Sequence, residues 1–269
     1  MKNRIIIFII IAVSIGAAFL LFPKKETKDD ADILSEEKNN NVLVKDGKDI
    51  RRDGINDNEK KKPISAEKED NFQRSAVLPD KIKIEVPFTS QAPYGVWDER
   101  HDDACEEASL LMVVKYLDND KLTPEIAEKE LQSVIDYQIE KYGDYKDSDM
   151  EELVQIAEGF YSVSNLEVIY DFKKERIKEE LAKGNPIIVP TAGRLLGNPY
   201  YTPPGPLYHN LVLVGYEGDN VITNDPGTKR GEGYIYDIDV LYNAIHDFPG
   251  KKEDIEDGRK AMIIIEHGA

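Results

Sequence analysis

The 269-residue chain contains one cysteine, Cys105, and that cysteine opens the run "CEEASLLMVVKYL". A thiol becomes a competent nucleophile toward amides once a neighbouring imidazole takes its proton. The run behind Cys105 is apolar around much of a helical circumference, so it reads as a buried helix with the sulfur at its start. There the positive end of the helix dipole and the free backbone N–H groups favour a thiolate. Glu106 and Glu107 suit the first turn of a helix but oppose thiol ionisation, so a histidine partner is required. The plain alternative is a small buried side chain that only packs.

Of the four histidines, His101 falls in the polar loop "DERHDD", while His246 and His267 read as surface residues. His209 differs, because it begins the nearly continuous apolar strand "HNLVLVGYE". The next strand, "NVITNDP", ends at Asp225, so a hairpin would bring His209 and Asp225 to one end. Register decides whether they share a face. A two-residue loop at Gly218-Asp219 sets 212 opposite 225, on the wrong face. A three-residue loop of Gly218, Asp219 and Asn220 sets 213 opposite 225, on the face of His209. The second arrangement lets the carboxylate orient the imidazole. An ordinary turn at Asp225-Pro226-Gly227 is the competing explanation.

Several elements must hold these groups. "KIKIEVPF" alternates as a strand, residues 104–117 form the buried helix, and Thr123 with Pro124 opens a further helix. Ser148 and Glu151 suggest a capping box, and Gly184 closes a helix that begins near 173. "LEVIYDF", "PIIVPTA", "HNLVLVGYE", "NVITNDP", "GYIYDI" and "KAMIIIEH" read as strands, with a short helix near 238–247. Helices come first and strands follow, which indicates an α+β domain. The segment "GRLLGNPYYTPPGPLYHN" ends at His209 and reads as a cleft wall or a plain connector, and Trp97 as a neighbour of the thiol or a core residue.

The formal net charge is −17, which excludes a nucleic-acid partner of the phosphate-binding kind. Residues 1–22 carry +2 and residues 23–80 carry −2, so the whole excess belongs to 81–269. Ile5 to Phe22 is an unbroken apolar or small run flanked by Lys2, Arg4, Lys24 and Lys25. It makes about 27 Å of helix, close to a bilayer core of about 30 Å. It reads as an uncleaved signal anchor at 1–22 that puts the rest of the chain outside the cytoplasm at a cell membrane. A cleaved signal peptide and secretion is the alternative. Residues 23–80 are charged and poor in aromatics, so they read as a disordered tether spanning roughly 40 Å. The domain is then 81–269. No phosphate-binding loop or metal-ligand cluster is recognised, the acidic loop at 98–103 lacks EF-hand spacing, and no metal or cofactor is expected.

The blocks "VPFTSQ", "DACEEASLLMVV" and "HNLVLVGYEGDNVITNDPG", in this order, resemble papain-like cysteine peptidases of the bacteriocin-processing peptidase-like family, over about residues 83–265. The resemblance implies a papain-like fold with Cys105 as nucleophile, His209 as general base, Asp225 as orienter and Gln91 in the oxyanion hole. Where the family often has Gly-Pro after the cysteine, this chain has Glu106-Glu107. The expected function is a membrane-anchored extracytoplasmic cysteine peptidase acting on a peptide or protein substrate as a monomer. An inactive peptidase-like domain that binds peptides or cell-wall material, and an amidase or acyltransferase using the same groups, are the alternatives.

Overall fold

The computed structural model describes residues 77–265, all within one compact unit. The expected anchor at 1–22 and nearly all of the linker at 23–80 lie outside the described residues, as does His267. Among the described residues no helix is long and apolar enough to cross a membrane.

Helix α1 (Glu99–Asp102) is a short turn in the polar loop, started by Asp98, whose Oδ1 accepts the Arg100 and His101 N–H groups. Helix α2 (Cys105–Leu117) is buried from Cys105 to Lys115, polar residues included. Its Leu110, Met112, Val113 and Val114 join the main apolar cluster with Val189, Leu211 and Leu213 of the sheet. Each such side chain contributes about 1.5–3 kcal/mol by leaving water, so this packing fixes where the cysteine end of α2 lies. Helix α3 (Pro124–Tyr142) starts on Thr123, whose hydroxyl accepts the Ile126 N–H, and stops at Gly143, with φ 88°. Helix α4 (Met150–Ile156) has its capping box one residue later than the sequence suggested: Asp149 and Glu152 exchange the bonds expected of Ser148 and Glu151. The shorter carboxylate of Asp149 reaches the N3 amide, while the Ser148 N–H is taken by Glu106. Helix α5 (Glu175–Ala182) ends before Gly184, and α6 (Ile238–Ala244) is capped by Asp237.

Among the described residues seven strands form one antiparallel sheet: β1 (Lys81–Lys83), β2 (Leu166–Tyr170), β3 (Ile187–Ala192), β4 (Tyr208–Glu217), β5 (Asn220–Asn224), β6 (Tyr234–Asp237) and β7 (Ala261–Ile265). The order is β2-β7-β3-β4-β5-β6, and β1 pairs with β4 beyond the end of β3. Strand β4 is therefore paired on both edges, and nine of its ten residues are buried.

The β4–β5 hairpin corrects the expected turn. Glu217 pairs with Asn220, so the loop is the two-residue Gly218-Asp219, not the three-residue one. The register then shifts between Leu213 and Gly215, leaving Val214 as a bulged residue. Beyond the bulge Val212 faces Asn224, and one extra residue on one strand swaps the faces. Continuing that register sets 211 opposite 225, which returns Asp225 to the side of His209. The bulge is accompanied by a close crossing: a Cβ on Gly215 would lie 2.2 Å from the Ile82 carbonyl oxygen. Gly215→Ala is expected to destabilise the domain by about 1–3 kcal/mol through this clash. Gly218→Ala, whose Cβ would meet nothing within 4 Å, should cost only the left-handed backbone strain of about 1 kcal/mol. Denaturant midpoints of the two variants check this ranking.

Candidate active site

His209 stands near the start of β4 and Asp225 just after the end of β5, both buried. Imidazole Nε2 lies 2.8 Å from Asp225 Oδ1. The same oxygen accepts the Gly227 N–H at 3.0 Å. The other oxygen, Oδ2, accepts the Tyr201 hydroxyl at 2.7 Å, the Tyr236 hydroxyl at 2.8 Å and the Asn198 amide at 3.1 Å. Burial by itself would raise this carboxyl, but the charge and hydrogen bond of His209, helped by Tyr201 and Tyr236, hold it below its ordinary value. An ionised carboxylate can only accept. Nε2 therefore carries a proton, and in the neutral ring Nδ1 presents a lone pair.

Two further contacts fix the ring. Tyr201 meets it edge-on, with centroids 5.4 Å apart. A Cβ on Gly227 would come within 2.8 Å of imidazole Cε1, so the glycine makes room for the ring. Tyr201, Tyr236 and Asn198 were not identified from sequence. Tyr236 lies in the alternating "GYIYDI", but alternation alone does not separate a carboxylate partner from an ordinary core tyrosine.

Cys105 is the first residue of α2, and Ala104 before it supplies no side-chain cap for the first N–H groups. Cys105, His209 and Gln91 line a single cleft of about 570 Å³, together with Trp97, Tyr200 and the segment around Pro206. The Gly/Pro/Tyr-rich segment before His209 is thus one wall of this cleft. The opposition to thiol ionisation expected of Glu106 takes the form of a direct contact. The thiol is buried and donates to Glu106 Oε2 at 3.0 Å. Burial, followed by the charge and hydrogen bond of Glu106, pushes the thiol well above its ordinary value, and the Asn210 backbone N–H offsets little of this. Glu106 is itself pushed well up by burial and by the neighbouring Glu107 charge. Burial raises Glu107 to about 7 despite a 2.6 Å bond from Gln138.

Gln91 is buried beside the cleft, and its amide is occupied. Nε2 donates to the carbonyls of His101 at 2.7 Å and Asp102 at 3.1 Å, while Oε1 has no partner. These bonds fold the loop from 91 back onto α1. His101 is not the solvated loop residue the sequence suggested. It is buried, with Nδ1 at 2.8 Å from Asp98 and Nε2 at 3.0 Å from Glu128 of α3. Burial alone would lower it, but the bonds and charges of Glu128 and Asp98 raise it. Of the acidic loop, Asp98 caps α1, Glu99 pairs with Lys146 and Asp103 with Lys252. Among the described residues no cluster suits a metal ion.

The sequence model of the Peptidase_C39 like family matches residues 83–248, more than half of the chain and a span that includes Gln91, Cys105, His209 and Asp225. The chain belongs to this family. Its architecture is α+β, and the domain is C39-peptidase-like. Solved structures similar to this member include a protein described as a C39-like peptidase from Bacillus anthracis, with a TM-score of 0.47 at 15% identity over 70% of this chain and 99% of that one. A prointerpain A fragment from Prevotella intermedia gives a TM-score of 0.45 at 14% identity over 71% and 74%. No curated protein matches the chain.

Asp225→Asn in this C39-like domain places an amide NH₂ among donors already aimed at the site. Breaking the buried pair is expected to cost about 3–5 kcal/mol at pH 7. Because the Asp225 carboxyl is lowered in the folded state, its stabilisation is full above the unfolded carboxyl range near 3.9 and is lost as pH falls through the folded value. The gap between wild type and Asp225→Asn should therefore narrow below about pH 4. Denaturant unfolding at pH 7 and at acid pH measures it.

Proposed function

We propose that the C39-like domain, residues 81–269, is a cysteine peptidase in which Cys105 attacks, His209 moves the proton and Asp225 orients the imidazole. The observation that carries this reading is the His209–Asp225 pair at 2.8 Å. It commits Nε2 to the carboxylate and leaves Nδ1 as the base nitrogen of a ring that shares one cleft with the thiol. His209 Nδ1 takes the thiol proton, and the resulting thiolate attacks the amide carbon. The C–N bond breaks as the imidazolium returns that proton to the leaving amine, and water then hydrolyses the thioester with His209 again as base. The developing oxyanion is received by the Cys105 backbone N–H, which no side chain caps. Gln91 is the second donor, exchanging its longer bond to the Asp102 carbonyl (3.1 Å) for the oxyanion. Each donor is worth roughly 3 kcal/mol.

The cleft also suggests which peptides enter. Lys229 and Arg230 line it, and neither forms an ion pair among the described residues. Arg230 rests on the Tyr200 ring at 4.7 Å, which leaves its N–H groups available. Asp102, on the α1 side, is the acidic residue of the lining. In a domain that carries an excess of −17, two cations in the lining of the cleft, without an ion pair among the described residues, favour a substrate with acidic side chains. The N-terminal sequence supports display of the domain outside the cytoplasm, on a membrane anchor at 1–22 and a tether at 23–80.

The thiol's bond to Glu106 favours the second reading, a peptide-binding domain without turnover, and loss-of-thiol variants separate the two. Cys105→Ala is expected to abolish hydrolysis of a fluorogenic peptide library while unfolding within about 1 kcal/mol of wild type. Residual hydrolysis by that variant would remove Cys105 as nucleophile, and a wild type that binds peptides without cleaving any would establish the silent domain. Within the library, Glu- or Asp-containing peptides should be cleaved several-fold faster than their Gln or Asn counterparts. That preference should fade at about 1 M salt, where screening reaches about 3 Å. Competition assays at two salt concentrations read the difference.

A further inference from the structure

The carboxylate beside the nucleophile has no part in the reaction just described. Glu106 is 2% exposed. Its Oε2 accepts the Cys105 thiol at 3.0 Å and its Oε1 accepts the Ser148 N–H at 3.2 Å, so both oxygens are placed. Among the described residues no hydrogen bond joins the Cys105 sulfur to His209. A thiol has one proton to donate, and here it is given to Glu106.

We propose that Glu106 is a positioning residue that holds the Cys105 thiol protonated and off its base, and that the thiol must exchange Glu106 for His209 Nδ1 before it attacks. Naming His209 as the base rests on the peptidase reading; the thiol–carboxylate contact does not. In the exchange the S–H bond turns away from Oε2, the proton passes to Nδ1, and a thiolate–imidazolium pair results. Glu106 keeps its charge or takes a proton from solvent. A cavity of about 190 Å³ borders both Cys105 and Glu106 and leaves room for the thiol to turn.

The groups around Glu106 reinforce this resting arrangement. Glu107 adjoins it on α2, Asp103 comes from the chain before α2, and Asp147 from the chain before α4. Strand β4 contributes Tyr208 and the Asn210 backbone N–H. Lys252 is the cation of the group, and it is already shared between Asp103 at 2.8 Å and Asp147 at 2.9 Å. Acidic neighbours thus outnumber that cation, and a thiolate gains nothing there. It gains an imidazolium only on the His209 side. A residue that packs merely to fill space would need neither the charge nor the two placed oxygens.

The test is the pH profile of Cys105 alkylation by iodoacetamide in the full chain, for wild type, Glu106→Gln and Glu106→Asp, each with and without His209→Ala. Glu106→Gln is expected to shift reactivity down by at least about one pH unit, which is roughly tenfold faster labelling at neutral pH. The shift should be smaller when His209 is also replaced, because the direct effect of Glu106 on the thiol remains while the base that receives its proton is gone. Glu106→Asp keeps the charge but withdraws it from the sulfur, so its profile should fall between the two; near-UV circular dichroism reports whether each variant is folded, and Glu106→Asp carries the test if Glu106→Gln is not. Where peptide hydrolysis is observed, Glu106→Gln should raise kcat with KM unchanged. A Glu106→Gln profile that coincides with wild type, or moves to higher pH, overturns the proposal. A downward shift that depends on His209, in a protein that cleaves no peptide, upholds the positioning role and removes the peptidase reading instead.

Discussion

The site is organised around one buried anion. Asp225 sits in the interior with no exposed surface, and such a charge survives only if its lone pairs are taken up. Five donors do so, and they come from widely separated parts of the chain: His209 from β4, Tyr236 from β6, Asn198 and Tyr201 from the segment between β3 and β4, and the Gly227 amide just after Asp225. The carboxylate therefore does two jobs. It fixes the proton of the histidine ring, and it pins the irregular wall of the cleft to the regular sheet. Oδ1 holds the ring and Oδ2 holds the wall, so a carboxylate turned by the loss of a donor on one oxygen is felt at the other.

On the facing side of the cleft the polarity is reversed in logic. Helix α2 starts with a thiol and two carboxylates inside the protein, where charge is unfavourable, and the structure meets this by raising the carboxyls and the thiol toward their neutral forms. One half of the site stabilises an anion by surrounding it with donors. The other half suppresses anions by crowding them together. A proton has a reason to move from the second half to the first, and the cleft lies between them.

Much of this was legible in the sequence. Strand β4 announces itself by an apolar run too long for one exposed face, and the helix behind Cys105 by apolar residues on every side. Thr123-Pro124 and Gly184 mark helix ends because their backbone or side-chain chemistry allows little else. The pairing of His209 with Asp225 was readable as a possibility of register, but the route was not. The turn is the short one, and the correct face is recovered by a bulge at Val214 that no local propensity marks, since valine suits a regular strand equally well. Buried polar partners were the least visible part. Glu106 looks like any acidic residue in a first helical turn, and His101 like any loop histidine, because burial depends on what packs over them from α3, α4 and β4.

The bulge has a consequence for how this hairpin tolerates change in length. What the chain must conserve between His209 and Asp225 is a parity, the evenness or oddness of the residue offset across the pair, rather than any particular turn. The two-residue turn and the extra residue at Val214 together satisfy it. A three-residue turn with no bulge would satisfy it equally. Lengthening the turn while flattening the strand are thus compensating edits, and either one alone would turn the acid away from the imidazole. Gly215, wedged beneath the Ile82 carbonyl, ties that arithmetic to β1, so a gain or loss of one residue in the hairpin would also be felt by the strand that leads to Gln91.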